Sequence, residues 1–160
     1  MAVAVADAGP PHYLVLIGAI DLLPSLFDLV FLPDMVHAEL CHPRAPAPVR
    51  DWIAIPPQWL RIVPTPPLST LPLPRLDDGE RAAITLAEKL RASAILMDDR
   101  EGVGAALSRG LIPIGTLGLL DRAARRGLVD LCLVLSRLKA TNFRVRPQLL
   151  DELLARHGAP

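Results

Sequence analysis

Short apolar runs alternate with longer amphipathic stretches along this chain of 160 residues. Each run is only a few residues long, which is typical of buried strands rather than helices. Strands separated by helices favour an α/β fold, in which a mostly parallel sheet is covered on both faces. The runs predict strands at Ala2–Ala6, Leu29–Leu32, Leu60–Val63, Ala94–Met97 and Leu111–Ile114.

The amphipathic stretches predict the helices. The clearest is Asp77–Ala92, where apolar residues recur at helical spacing. Pro33 precedes a second helix, a usual position for proline, and Gly127 is expected to end the helix that begins at Thr116. The remaining predicted helices are His12–Leu26 (with a break near Ile20), Asp34–Leu40, Val49–Ile55, Glu101–Ser108, Thr116–Arg126, Asp130–Ala140 and Pro147–His157.

The chain is expected to form one domain over residues 1–160. Prolines concentrate in residues 43–75, and we interpret this segment as an insertion or connector within the domain. A linker between two domains is the alternative. It is weaker, because the roughly 40 residues before it are too few for an independent core.

Composition narrows the class of protein. Apolar residues make up 51% of the chain, which excludes a disordered protein. Lys+Arg and Asp+Glu both total 17, so a nucleic-acid binder of this composition would need a local basic patch. Such a patch could form in the C-terminal half at Arg100, Arg109, Arg122, Arg125, Arg126, Arg137, Lys139, Arg144 and Arg146, although solvated helix faces explain most of these.

The cysteines and the N-terminal apolar stretch indicate where in the cell the protein resides. Cys41 and Cys132 form no spacing pattern, which favours a reducing, cytoplasmic setting. The apolar stretch after Asp7 is interrupted by prolines and meets Asp21, so it is too short for a membrane span and a poor signal peptide. We therefore expect a cytoplasmic protein with no membrane association.

Acids follow two of the predicted strands. Asp7 ends the first apolar run, and Asp98 with Asp99 ends the fourth. The carboxyl ends of parallel strands face the crevice where open α/β sheets bind ligands. Asp7 could equally form an Asx-turn or a helix cap. Side chains alternate along a strand, so we expect Asp98 to point inward and Asp99 to be the secondary candidate.

Three further polar residues are candidates with strong structural alternatives. Glu39 lies on a predicted helix, where a glutamate is usually only solvated. Glu80 follows Asp77 by three residues, which is the spacing of a capping box. Thr116 opens a helix, where its hydroxyl could hold a phosphate or a metal-bound water, or act as a plain N-cap. Clustered carboxylates repel one another unless a cation is present, so the acids together suggest metal-assisted phosphate hydrolysis.

The combination resembles the PIN-domain nuclease superfamily, in particular a prokaryotic branch related to the VapC-type toxins. The resemblance covers nearly the whole chain, and it depends on the order and spacing of several segments together. These segments are Val5-Ala6-Asp7, Tyr13–Ile17, Leu32–Val36 with Ala38-Glu39-Leu40, Leu76–Glu80 with Ala83-Ile84 and Leu86-Ala87, Ile95–Asp99, and Ile114–Gly118.

The resemblance implies a PIN-like, Rossmann-like three-layer α/β/α fold with extra C-terminal helices. It also implies Mg²⁺ or Mn²⁺ at one sheet edge and cleavage of single-stranded RNA. Asp7, Glu39, Glu80 and Asp98 match the family's acids, Asp7 and Asp98 as metal ligands, and Thr116 falls near a polar position seen in some members. Expected partners are RNA, a cognate antitoxin and a second copy of the chain in a homodimer.

This chain departs from the usual toxin pattern at a few positions. Gly9 stands where a short polar residue is frequent, Glu80 is one methylene longer than the usual aspartate, and the Pro-rich segment is larger. A catalytically degenerate PIN-like module that binds RNA or protein is therefore the second hypothesis. A receiver-like phosphoacceptor is the third, but that fold carries an acid pair after its first strand, where Asp7 stands alone.

Overall fold

A computed structural model describes residues 1–68 and 75–158. Within them, strands and helices alternate along the chain as the apolar pattern predicts. The strands are β1 (Val3–Ala6), β2 (Leu29–Pro33), β3 (Leu60–Val63), β4 (Ala94–Leu96) and β5 (Pro113–Ile114). The helices are α1 (Gly9–Leu16), α2 (Leu23–Leu26) with a preceding 3₁₀ turn at Ile20–Leu22, α3 (Asp34–Leu40), α4 (Ala47–Ala54), α5 (Asp78–Leu90), α6 (Arg100–Ser108), α7 (Thr116–Arg125), α8 (Leu131–Lys139) and α9 (Pro147–Arg156).

The five described strands form one parallel sheet in the order β3-β2-β1-β4-β5. Val5 of the central strand lies opposite Phe31 on one side and Ile95 on the other. Connections run outward from β1 to β2 and β3, and the chain then crosses to β4 on the other side of β1. The predicted three-layer α/β/α fold is confirmed, with every observed pairing parallel.

The sheet separates two apolar cores. Ala4 and Ala6 point to the face covered by α1, α4, α7 and the C-terminal helices, in the larger core. Val5 points to the opposite face, where α5 and α6 cover it with small residues such as Ala83 and Ala106. A strand buried on both faces reads as a continuous apolar run, which is why β1 shows no polar alternation before Asp7.

Several element bounds differ from the expected ones for local reasons. Helix α1 begins at Gly9 rather than His12, because Pro10 and Pro11 fit in the first helical turn, where their missing N–H groups are not needed. The predicted strand at 111–114 shortens to two residues, since the amide of Leu111 donates to Ala106 O at the end of α6.

Part of the Pro-rich segment packs on the larger core and extends the sheet. Its helix α4 buries Val49 and Ile53, and its strand β3 pairs with β2 at the edge of the sheet. The part of the predicted connector that includes Pro72 and Pro74 lies outside the described residues. No helix of the described ranges is long and apolar enough to cross a membrane.

The C-terminal helices pack against the domain through one side only. Leu131, Leu135, Leu150 and Leu153 are buried in the larger core. By contrast, Leu133 is 47% and Leu149 45% exposed. Most leucines of α8 and α9 therefore pack within the chain.

Candidate active site

The carboxyl ends of β1 and β4 place two aspartates at one edge of the sheet. Asp7 follows β1 and Asp98 follows β4 with one residue between. The backbone N–H of Asp7 donates to Leu96 O over 2.9 Å, so the two strand ends are in register. Since β2 lies on one side of β1 and β4 on the other, this is the edge where open α/β sheets leave a crevice.

Asp7 is a buried carboxylic acid in a crowded acidic environment. Its side chain and backbone together are only 8% exposed. Burial raises the pKa of Asp7 to about 8, and the negative charges of Asp77, Glu39 and Glu80 add to this while the Ala8 amide opposes it. The structure therefore couples Asp7 to acids from α3 and from the start of α5.

Asp98 is held at both carboxylate oxygens by a single residue. The Thr116 amide donates to Oδ1 over 2.7 Å, and the Thr116 hydroxyl donates to Oδ2 over 2.6 Å. Burial raises the pKa of Asp98, and these hydrogen bonds partly oppose the shift. A Cβ at Gly115 would lie 2.8 Å from Oδ1 and one at Gly9 3.2 Å from Oδ2, so small residues are needed for this close packing.

The neighbouring candidates Asp99 and Thr116 have structural roles in this arrangement. Asp99 caps α6, its Oδ1 accepting from the amides of Glu101 and Gly102 at 2.9 and 3.3 Å. Gly115 occupies the N-cap position of α7, so the N-cap interpretation of Thr116 is wrong. Thr116 is instead fully buried and directs its amide and hydroxyl at Asp98.

Glu80 combines the expected cap with an electrostatic role. Its amide donates to Asp77 Oδ1 over 2.7 Å and its Oε2 accepts from the Asp77 amide over 3.2 Å, which confirms the capping box. Glu80 is 6% exposed. Burial raises its pKa to about 7, with further raising by Asp77, Asp99 and Glu39.

Glu39 reaches from α3 to the first turn of α5. The residue as a whole is exposed, but a Cβ at position 79 would clash with its Oε1, so its carboxyl group lies directly on Gly79. This contact explains why burial raises the pKa of Glu39 despite the exposed stem, with a further contribution from Asp77.

Asp77 is the acid that the sequence pattern assigned only to a helix cap. Its charge raises the pKa of Asp7, Glu39 and Glu80 alike, so it belongs electrostatically to the site. The signal that could have found it is the density of acids in Asp77-Asp78-Gly79-Glu80, since a helix N-terminus stabilises negative charge.

An open cleft of about 590 Å³ connects the strand-end acids with the C-terminal part of the chain. Glu39 faces a separate depression that it shares with His12, His42 and Arg44. The sequence pattern missed Tyr13, Asn142 and Phe143 as site residues. The cleft is lined by Asp7, Gly9, Tyr13, Asp98, Asp99, Arg100, Asn142, Phe143 and Arg144.

Comparison with known protein families agrees with this geometry. A family model described as a PIN domain matches residues 3–159, nearly the whole chain. The protein belongs to the PIN-domain family. No curated protein and no solved structure matched the chain.

PIN domains generally use divalent metal ions, and PIN nucleases generally bind RNA. The residues of this site can therefore be compared with the ligands that a divalent ion needs. Within residues 1–68 and 75–158, no three His, Cys, Asp or Glu side chains form a group that could hold a metal ion. Asp7 and Asp98 line the same cleft, and both supply the oxygen donors that hard cations prefer. Mg²⁺ is often bound by one or two carboxylates and several waters, so the two aspartates of this PIN domain fit a site of that kind.

Proposed function

We propose that this PIN domain is a metal-dependent endoribonuclease that hydrolyses phosphodiester bonds in single-stranded RNA. The observation that supports the proposal best is the shared cleft of Asp7 and Asp98 at the carboxyl edge of the sheet. The family match adds the nuclease fold. The single-stranded substrate and the choice of Mg²⁺ or Mn²⁺ belong to the proposal.

In the proposed mechanism Asp7 and Asp98 would hold the cation. When bound, the cation would supply an electrophile for the scissile phosphate and a bound water of lowered pKa. Thr116 fixes Asp98 through two hydrogen bonds, so this carboxylate is positioned before substrate arrives. Arg100 and Arg144 line the same cleft and would neutralise phosphate charge beside the acids.

Glu39 and Glu80 act in the proposal through Asp7. Both raise the pKa of Asp7, and therefore both strengthen the negative field at the end of β1. A negative field attracts a cation, and a metal-assisted hydrolase needs such attraction to hold its metal ion. Their role is to set the electrostatics of the site rather than to contact substrate.

The decisive experiment is cleavage of a labelled single-stranded RNA with Mn²⁺ by wild type and Asp7→Asn. We expect the variant to lose at least about 100-fold in rate, since it removes a ligand of the proposed cation. Asp51→Asn, an exposed acid on α4, is the matched control and should keep full activity. Equal rates for wild type and Asp7→Asn would refute the assignment.

A catalytically degenerate module that binds RNA or protein without cleaving is the second candidate. It is favoured by the finding that the described residues hold no three-ligand metal group. Calorimetric titration with Mn²⁺ separates the two. Heat that is present in wild type and lost in Asp7→Asn supports the nuclease, whereas no heat in either supports the module.

A toxin role with a cognate antitoxin, and a homodimer, are further parts of the proposal. Leu133 and Leu149 are the exposed leucines on α8 and α9 that a second copy could cover. Light scattering of wild type and Leu133→Lys tests this, since a monomeric wild type would exclude the homodimer.

Growth arrest on expression, relieved by a small adjacent reading frame, tests the toxin role, and normal growth would count against it.

A further inference from the structure

The cleft at the sheet edge has two chemically different walls. Asp7 and Asp98 form the acidic wall, where the proposed reaction takes place. A second wall is formed by Tyr13 of α1 and by Asn142-Phe143-Arg144 in the loop that joins α8 to α9. The volume of the cleft, about 590 Å³, falls in the range of small-ligand sites.

The loop is fixed in place by specific contacts. The Thr141 hydroxyl donates to Leu138 O over 2.6 Å and accepts from the Phe143 amide at 3.2 Å. The Tyr13 hydroxyl donates to Asn142 Oδ1 over 2.9 Å. The rings of Tyr13 and Phe143 meet edge to face, with centroids 4.9 Å apart. These contacts hold the loop against α1 in a preformed position.

The same contacts determine which groups remain for a ligand. Because Asn142 Oδ1 accepts from Tyr13, its amide nitrogen is left to donate from an exposed side chain. Phe143 is half-buried and still lines the cleft, so part of its ring is accessible. Arg144 follows it in the chain and is exposed. Burial and the charge of Asp98 raise the pKa of the Tyr13 hydroxyl and the charge of Arg144 lowers it, so the tyrosine lies near charged groups of both walls.

We propose that Tyr13 and the loop 142–144 form a nucleotide-binding subsite next to the acids. In it, one base of single-stranded RNA stacks on Phe143, the Asn142 amide donates to an acceptor on the base edge, and Arg144 contacts a phosphate. The substrate class rests on the proposed nuclease function. The subsite itself rests on the geometry of this wall.

The composition of the wall is what favours a nucleotide over other ligands. Aromatic residues make up only 4% of the chain, yet Tyr13 and Phe143 both line this cleft. An aromatic platform beside arginines is the usual arrangement for single strands, because every base offers a π-face and every phosphate a charge. Since the chain has no net charge, binding depends on such a local arrangement.

The test is equilibrium binding of fluorescein-labelled hexaribonucleotides, followed by anisotropy in EDTA so that no cleavage occurs. Phe143→Ala should weaken binding by about five- to 150-fold, the range for loss of one base–aromatic stack. Asn142→Ala should weaken it by about two- to tenfold, as for one hydrogen bond. Phe143→Trp preserves an aromatic face and should restore most of the affinity.

Phe143 also packs on the larger core, so a folding defect must be distinguished from a lost stack. An abasic nucleotide, moved through the six positions of the RNA, provides this distinction. At one position the abasic change should weaken binding to wild type and have little further effect on Phe143→Ala. Phe143→Leu, which retains apolar packing without an aromatic face, should behave like Phe143→Ala.

The arginine is tested through salt dependence. Each phosphate contact on a single strand contributes about 0.7 to the slope of log affinity against log salt concentration. Arg144→Ala should reduce the slope by about that amount, and Phe143→Ala should leave it unchanged. Arg61→Ala, an exposed arginine of β3 outside the cleft, is the control and should change neither slope nor affinity.

The outcomes separate this inference from the proposed nuclease. Binding that depends on Phe143 without any cleavage keeps the subsite and removes the nuclease function. Cleavage by wild type with affinity and abasic profile unchanged in Phe143→Ala overturns the subsite and leaves the nuclease. Wild type that binds no hexaribonucleotide overturns the subsite whatever the cleavage assay gives.

Discussion

Asp98 and Asp99 are adjacent acids with different functions, and the difference has a local cause. Strand side chains alternate, so only one of the two can face the cleft. Asp99 accepts from the first amides of α6, as an N-cap does. Asp98 turns to Thr116, which is 18 residues away. The alternation and the cap were predictable from the sequence, but the partner was not.

The raised pKa of Asp7 makes the stability of the protein depend on pH. The folded-state pKa of about 8 lies above the unfolded value of 3.8, so the folded protein holds a proton that the unfolded chain releases. Stability should therefore fall as pH rises from about 4 to about 8 and then level off. In EDTA, Asp7→Asn should make this decline smaller without abolishing it, because the raised pKa values of Glu80, Glu39 and Asp98 act in the same direction. It should be more stable than wild type at pH 8.5 by over about 1 kcal/mol.

Urea unfolding at several pH values measures this directly. Wild type and Asp7→Asn should agree near pH 4 and diverge as pH rises. Parallel curves across the whole range would show that Asp7 is not strained by burial in the folded protein.

At the scale of elements, the N-terminus of α5 collects the acidic charge of the site. Asp77 and Glu80 form the capping box in its first turn, and Glu39 of α3 lies on Gly79 in the same turn. The free amides and the dipole of a helix N-terminus stabilise negative charge. This offsets part of the repulsion among these acids, although the pKa values of Asp7, Glu39 and Glu80 are still raised.

Two substitutions of Asp77 distinguish its role as a helix cap from the effect of its negative charge. Asp77→Ala removes the acceptor for the Glu80 amide and should cost about 1 kcal/mol of unfolding free energy. Asp77→Asn retains a good cap but removes a charge that raises the pKa of three neighbouring acids, so it should be neutral or stabilising at pH 7. Urea unfolding compares the two, and an equal loss in both would contradict the electrostatic role of Asp77.

In the molecule as a whole, the last two helices pack on the larger core, α8 next to α7, and the loop between them completes the cleft. His157 Nε2 lies 2.7 Å from Asp121 Oδ1, which joins the end of α9 to α7. Between α8 and α9, the chain passes Tyr13 of α1. The position of the loop 142–144 therefore depends on how α8 and α9 dock.

The Asp121–His157 contact should stabilise this docking. Both side chains are less than a fifth exposed, at 18% and 16%, so His157→Ala should cost about 1.5–3 kcal/mol. Arg125 is 63% exposed and lies 3.3 Å from the same aspartate. Arg125→Ala should therefore lower the free energy of unfolding by less than about 1 kcal/mol. Thermal and urea unfolding provide the comparison, and equal effects would refute the distinction.

The pH dependence of this contact has the opposite sign to that of Asp7. Burial alone would raise the pKa of Asp121, but hydrogen bonds from His157 and Arg125 and nearby positive charge outweigh it and lower the pKa. A lowered folded-state pKa stabilises the protein above the unfolded value of 3.8, and this stability is lost as pH falls through the folded value. Asp121→Asn should therefore be less stable than wild type at neutral pH, and this difference should disappear only in acid.

The type and order of the elements, and the acids at the ends of β1 and β4, were predictable from the sequence. These follow from local physics, because strand and helix periodicities and cap spacing are written in neighbouring residues. Three features became visible only in the folded chain: Glu39 lies on Gly79, Thr116 holds Asp98, and Asn142-Phe143-Arg144 forms a wall of the cleft. Those contacts join residues distant along the chain, and the packing of helices on the sheet creates them without any local signal.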